Sequence, residues 1–507
     1  MELELKKESV DCYRSGTPIL LSLEETAETV VPDHEPDIAR IVDVSACLLL
    51  RSRTIADGRL TASGSVKLTL LYLSEETPGL RALEYAVPFE HSAELPENCA
   101  DACLEGNVCH AEARLLNPRK LFTRFDIDWR ITPYRAAVLT TCGEIAEQER
   151  YAVQTLCETY DVSLIRSVGA HEFVFADELT LPGGREAIAE LLRSQARLRL
   201  TEAKPLGRKI VLKGAVCLSL LYAGESGALC SYAEELPFSQ LLDGAGAEQD
   251  DDGIEASLTL SESEIHTGSD GGRSVSVRLL LDAFLVRRGT ASVCCISDLY
   301  STACQLDAQM ETVELEQTPN RSVVTQAVRE QMDTGTEVKQ ILSAEVCCSG
   351  AGVRREGGNA LLHASAAITL LYLDESDTPL SVRRQIEITA PAPDEDVTKA
   401  ALEPVCAEDV TAGIQPGGVE LRFPARFSLL CEKTVSCACL TRLSVEQSAE
   451  AAPPSSVLVL RSLGEGETLW ELAKQYRTTV EAILAANDLT ESSLLEVGRM
   501  LLIPHCR

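Results

Sequence analysis

Apolar and polar residues alternate strictly in many stretches of this chain. In "RLTASGSVKLTLLYL" (59–73), Val66, Leu68, Leu70 and Tyr72 fall on one face of an extended strand. The same pattern returns as Val216, Leu218, Leu220 and Tyr222, and again as Ala366, Ile368, Leu370 and Tyr372. The three copies "LTLLYL", "LSLLYA" and "ITLLYL" start at residues 68, 218 and 368, an offset of 150 each time. Repeats this long are domains, not the 20–50-residue modules of a solenoid.

The offset extends to other segments. "PDHEPDIARIVDVSACL" (from Pro32), "PGGREAIAELLRSQARL" (from Pro182) and "MDTGTEVKQILSAEVCC" (from Met332) align without a gap. Ile38, Ile41 and Val42 then coincide with Ile188, Leu191 and Leu192, and with Val338, Ile341 and Leu342. Apolar positions at i, i+3 and i+4 predict one short helical turn, with Pro, Asp and Gly before it as start signals. Turns at Gly58, Gly207 and Gly357–Gly358 precede the alternating strand and predict a hairpin. Gly64 and Gly214 recur inside the strand, where the third copy has Ala364. "YAVPFE" (85–90) and "YAEELPFS" (232–239) correspond, with "IEITAPA" (386–392) a distant third. The β-type runs "LFTRFDIDWRI" (121–131), "SVSVRLLLDAFLV" (274–286) and "VELRFPARFSLL" (419–430) close the units. "DLYSTACQL" (298–306) and the looser "ERYAVQTLC" (149–157) bridge them.

The expected architecture is mainly β. Three tandem β-rich domains, sandwich or barrel-like, span 1–150, 151–310 and 311–447. "SAEAAPPSSV" (448–457) reads as a linker. A small α+β module of β-α-α-β order follows at 458–505. In it, Thr468 and Glu471 form a capping box, and Leu469, Leu472, Ala473 and Tyr476 make a helical face. Thr478 and Glu481 repeat the box before Val480, Ile483 and Leu484. Strands are expected at Leu460–Leu463 and Met500–Ile503.

Charge and composition narrow the function. The 507 residues carry 46 Lys and Arg against 78 Asp and Glu, a net charge of −32. Such a surface repels phosphate backbones and anionic headgroups, so nucleic-acid binding and direct membrane docking are not expected. The start, "MELELKKESVDCYRSG", lacks the apolar core of a signal peptide, and no run reaches the ~18–20 apolar residues of a membrane span, so a cytoplasmic location is expected. The 19 cysteines are an odd number, and several sit in strand-like runs, among them Cys47, Cys217, Cys347 and Cys431. Neither Cys99/Cys103/Cys109, Cys437/Cys439 nor Cys294/Cys295 has zinc-site spacing. Free, mostly buried thiols are expected, without metal or disulfide.

Catalytic signatures do not emerge. No GxxxxGK[ST], HExxH, GxSxG or Rossmann glycine run occurs. His110 follows Cys109, but neighbours on a strand point to opposite faces and make a poor dyad. The acidic run "EQDDDG" (248–253) lacks calcium-loop spacing and reads as a solvated loop. Trp129 is expected in a core. A non-enzymatic chain without cofactor is the expectation.

Two resemblances add to this reading. "GETLW" (466–470), "AAND" (485–488) and "VGRMLLIP" (497–504) resemble the LysM domain across the whole terminal module. That family binds N-acetylglucosamine-containing glycans such as peptidoglycan, and its fold can also serve in protein docking. Carried over by position, the groove involves Gly466, Glu467, Thr468, Leu469, Asn487, Asp488 and Leu489; Trp470, next along the helix, is a further contact candidate. "VVPDHEPDIARIV" (30–42), "GSVKLTLLYL" (64–73) and "LPGGREAIAELL" (181–192) resemble the SPOCS domain, named for spore coat assembly. "QMDTGTEVKQIL" lacks the usual Pro. SPOCS repeats with a terminal LysM are typical of clostridial spore formers. The resemblance implies a mother-cell scaffold at the forespore surface, whose partner is the coat's morphogenetic ATPase or another coat protein. The alternative it leaves open is a glycan-binding protein of the cell wall or spore cortex.

Overall fold

The computed structural model describes residues 2–243, 252–356, 359–393, 401–446, 458–490 and 496–504. The linker at 448–457, the turn at Gly357–Gly358 and most of the acidic run, 248–251, lie outside the described residues.

Each repeat is a sandwich. In the first, β3 (Arg40–Ala56), β4 (Arg59–Leu73) and β5 (Leu80–Glu94) form an antiparallel sheet. It packs on β2 (Ile19–Val30), β6 (Cys99–Asn117) and the first part of β7 (Lys120–Ile145). Val66, Leu68, Leu70 and Tyr72 enter that core beside Phe125, Ile127 and Trp129, so the alternation reads correctly. The second repeat builds the same sheet from β9 (Ile188–Leu206), β10 (Lys209–Gly224) and β11 (Leu229–Asp243). It covers β12 (Gly253–Thr267) and parts of β8 (Val153–Thr180) and β13 (Ser274–Ser301). The third uses β15 (Val338–Glu356), β16 (Asn359–Asp374) and β17 (Pro379–Pro391) over β14 (Gln305–Asp333) and β21 (Gly418–Glu446). There the counterpart of β6 and β12 is broken into β18 (Ala401–Leu402), β19 (Cys406–Ala407) and β20 (Thr411–Gln415).

No helical turn forms at Ile38–Val42, Ile188–Leu192 or Val338–Leu342. These residues enter β3, β9 and β15, and each strand carries a bulge, between Ile41 and Asp43, at Leu192, and between Ile341 and Ser343. The bulge inserts a residue and breaks the period of two. Ile38 and Ile41 face the first sandwich core, whereas Val42 faces the opposite side. An i, i+3, i+4 pattern therefore arises without a helix.

The residues on that opposite side organise the whole head of the molecule. Val42, Leu192 and Leu342 meet Leu71, Leu221 and Leu371 in one apolar cluster to which all three repeats contribute. The three sheets thus surround a pseudo-threefold axis. Beside the cluster, the equivalent positions 43, 193 and 343 hold Asp, Arg and Ser. Arg193 donates to Asp43 (2.8 Å) and to Ser343 Oγ (2.7 Å), and it lies 3.3 Å from Glu345. Arg383 donates to the other oxygen of Asp43 at 2.8 Å. Arg81–Glu190 links the first repeat to the second, Gln195–Glu345 the second to the third, and Ser381–Val42 the third back to the first. The ring is closed.

Below the head, β1 (Leu5–Ser15) with the end of β7, the start of β8 with the end of β13, and the start of β14 with the end of β21 form three two-stranded ribbons. Their inner faces pack as a stalk around Leu139, Val162, Val293, Leu315, Ile296 and Leu443. Cys12, Cys142, Cys295, Cys437 and Cys439 are buried there as small hydrophobes. The expectation of free thiols fails at one place, because Cys109 and Cys347 form a disulfide across 238 residues. That pairing depends on how the first and third repeats meet, which cysteine spacing does not report. Among the described residues, no helix is long and apolar enough to cross a membrane.

Candidate functional site: the terminal module and its seat

The terminal module pairs β22 (Leu458–Ser462) with β23 (Met500–Pro504) and packs α1 (Leu469–Gln475) and α2 (Val480–Ala486) on one face. The box at α1 forms as the sequence predicts: Thr468 Oγ1 accepts from Glu471 N at 3.2 Å, and Glu471 accepts from Thr468 N at 3.0 Å. The second cap is displaced by one residue. Thr479, not Thr478, is the N-cap of α2, accepting from Ala482 N at 3.1 Å. Thr478 is fully buried instead, because its carbonyl has another task, described below.

The residues expected at a groove lie in the loop before α1, at the start of α1 and just after α2. Gly466 and Asp488 take positive φ angles of 77° and 53°, which turn the chain at the two rims. Gly466, Thr468 and Asp488 are exposed, and Leu469 and Leu489 are half-buried against the module's core. Several side chains are committed to the fold. Asn487 Nδ2 donates to the carbonyls of Ile483 and Leu502, both at 2.7 Å, and its Oδ1 accepts from Leu502 N at 2.7 Å. It pins α2 to β23. Glu467 accepts from Gly464 N (2.8 Å) and pairs with Arg461 (2.5 Å).

Trp470 faces neither rim. Its Nε1 donates to Asp298 Oδ2 at 2.8 Å, and its ring meets Tyr300 edge-on at 4.9 Å between centroids. Lys474, one turn on, reaches Asp298 Oδ1 at 2.5 Å. Tyr300 enters the module's own core, and its hydroxyl donates to the Thr478 carbonyl at 2.7 Å. Burial alone would raise the Asp298 pKa; the bonds from Lys474 and Trp470 outweigh it and hold the carboxyl below its ordinary value. The module is therefore seated on the end of β13 and shares a core with it. Asp298 and Tyr300 were in view as part of "DLYSTACQL", and strand alternation puts them on one face. Nothing local indicated what that face meets.

The other candidates have structural partners. Trp129 Nε1 donates to His91 (2.9 Å), which meets Glu25 at 2.7 Å, inside the first sandwich. His110 pairs with Glu112. Asp252, from the acidic run, is buried against Arg287 at 2.6 Å and is not part of a solvated loop. Among the described residues, no three His, Cys, Asp or Glu side chains converge as a metal site.

Residues 464–504 match the family model of the LysM domain, and residues 37–116 and 187–265 each match that of the SipL, SPOCS domain. The two SPOCS matches cover β3–β6 and β9–β12. No curated protein and no solved structure matches the chain. The matches support a sporulation coat-associated protein with a module of the peptidoglycan-binding type.

Proposed function

We propose that this chain, which joins SipL-type SPOCS domains to a terminal LysM, is a non-enzymatic scaffold of the spore coat. It works in the mother-cell cytoplasm at the forespore surface, and its LysM module docks a coat protein, the morphogenetic ATPase in the first place. One observation carries this reading. The LysM core includes Tyr300 of the second repeat, and its first helix is tied to Asp298. The module and the stalk end of the three-repeat body are interlocked. A body of this kind presents several surfaces at fixed spacing, which raises effective concentration for partners that engage more than one. The commitment of Asn487 and Glu467 to the fold leaves fewer polar side chains for sugar hydroxyls.

A second reading has its own support. Gly466, Thr468 and Asp488 stay exposed in the seated module, so the side expected to take N-acetylglucosamine glycans remains open. The two readings are separated by measuring the intact chain against purified peptidoglycan sacculi and against the purified coat ATPase. The scaffold reading expects binding to the ATPase, lost on substitution at Gly466 or Asp488, and no retention on sacculi. Retention on sacculi without ATPase binding would overturn it.

A further inference from the structure

A chamber of about 860 Å³ opens on the pseudo-threefold axis, beyond the Asp43–Arg193 contact. β3, β9 and β15 all contribute to its wall, together with parts of β6 and β17. Six cysteines line it: Cys47, Cys109, Cys217, Cys347, Cys348 and Cys406. Only Cys109 and Cys347 are joined. β6 carries a bulge between Asn107 and His110, and the bulge releases Cys109 from regular pairing and turns it toward β15. Asn107 Nδ2 donates to both sulfurs, at 3.3 Å and 3.2 Å. A donor in that position favours the charged form of a thiol. The four remaining chamber thiols differ. Burial pushes Cys47, Cys217 and Cys348 up, Cys47 and Cys348 to about 11, which keeps them protonated and poor nucleophiles, and Cys406, though exposed, is raised as well.

We propose that Cys109 and Cys347 are a thiol–disulfide exchange site, served by a low-molecular-weight zwitterionic thiol and its disulfide that enter the chamber. The volume falls in the range of small-molecule pockets, about 300–1,000 Å³. Its wall presents both signs of charge, with Lys67 and a half-exposed Arg197 on one hand and Glu112 and Glu235 on the other. That combination suits a ligand carrying both carboxylate and ammonium. In the oxidising direction, the Cys109 thiolate attacks the small disulfide, forming a mixed disulfide and releasing one small thiolate. Cys347, as thiolate, then attacks the Cys109 sulfur and releases the second. Two protein thiols and one small disulfide thus become one protein disulfide and two small thiols. The bond joins the first repeat to the third, the two not adjacent in the chain, and so makes the ring covalent.

The test equilibrates the full-length protein across ratios of reduced to oxidised glutathione, quenches in acid, alkylates and maps disulfides by mass spectrometry. Cys109 and Cys347 are expected to convert together with the ratio while Cys47, Cys217, Cys348 and Cys406 remain alkylated. Cys347→Ser is expected to trap glutathione on Cys109. Asn107→Ala is expected to slow oxidation about three-fold, since the attacking and leaving sulfurs lose the donor that stabilises their charged form. Cys295 and Cys437 provide an internal control, with sulfurs 3.6 Å apart but buried in the stalk. Oxidation of that pair as readily as Cys109–Cys347, full alkylation of Cys109 and Cys347 at every ratio, or an unaltered rate in Asn107→Ala would each overturn the proposal.

Discussion

Arg193→Ala tests the ring at its centre. The side chains of Arg193 and Asp43 are only 4% and 1% exposed, so both charges have lost their water. In the folded head the guanidinium reaches Asp43 at 2.8 Å, Ser343 Oγ at 2.7 Å and Glu345 at 3.3 Å, joining three repeats through one side chain. Truncation leaves Asp43 buried with Arg383 as its remaining cation. Removing one partner of a buried pair costs about 3–5 kcal/mol, because the other charge stays desolvated. At 1.4 kcal/mol per decade, ring opening then becomes about 10²–10⁴ times more frequent. Native-state hydrogen exchange reads this directly in peptides covering 42–48, 192–198 and 342–348, which belong to three different repeats. Protection is expected to fall in all three together. Arg193→Lys keeps the charge but loses the planar fork, and its effect is expected to be smaller. Loss confined to the second repeat, or none, would refute a shared hub.

Three further outcomes follow from the geometry. A Cβ on Gly64 would lie 2.0 Å from the Leu49 carbonyl and 3.0 Å from Phe89, so Gly64→Ala is expected to destabilise the first sandwich by about 1–3 kcal/mol in urea melts. Tyr300→Phe deletes the bond to the Thr478 carbonyl and is expected to weaken the LysM seat by about 0.5–1.5 kcal/mol, read as faster proteolytic release of the module. Asp298 has a folded pKa below its unfolded value of 3.8, so its contribution to the seat is present above about pH 4 and is lost as pH falls through the folded value. Trp470 emission is expected to report this acid release, and Asp298→Asn to abolish its pH dependence.

Much of the fold was legible because the head is written three times. The period of two located β4, β10 and β16, and their offset of 150 gave the number of sandwiches. The glycine pattern has a physical reading as well. Gly64 and Gly214 pair across the strand with Phe89 and Phe238, whereas Ala364 pairs with Ile388. A ring covers the bare glycine, and a smaller side chain accompanies the added methyl. The predicted helix failed because a bulge imitates helical spacing, and one strand's sequence does not reveal a bulge in its pairing. The second face of "LTLLYL" was also missed. Leu71 points away from the face of Leu68, Leu70 and Tyr72 and belongs to the axis where three repeats meet. At the LysM module, caps and core were readable because they are local. The seat on Asp298 and Tyr300 and the Cys109–Cys347 bond were not, since each joins segments more than 150 residues apart.

We propose that this interlocked body builds the coat from the mother-cell side. The most direct test is to follow the full-length protein, carrying a fluorescent tag, through sporulation. A shell around the forespore that disperses when the coat ATPase is removed is the predicted result. A diffuse signal, or one that follows cortex peptidoglycan whether or not the ATPase is present, would contradict it.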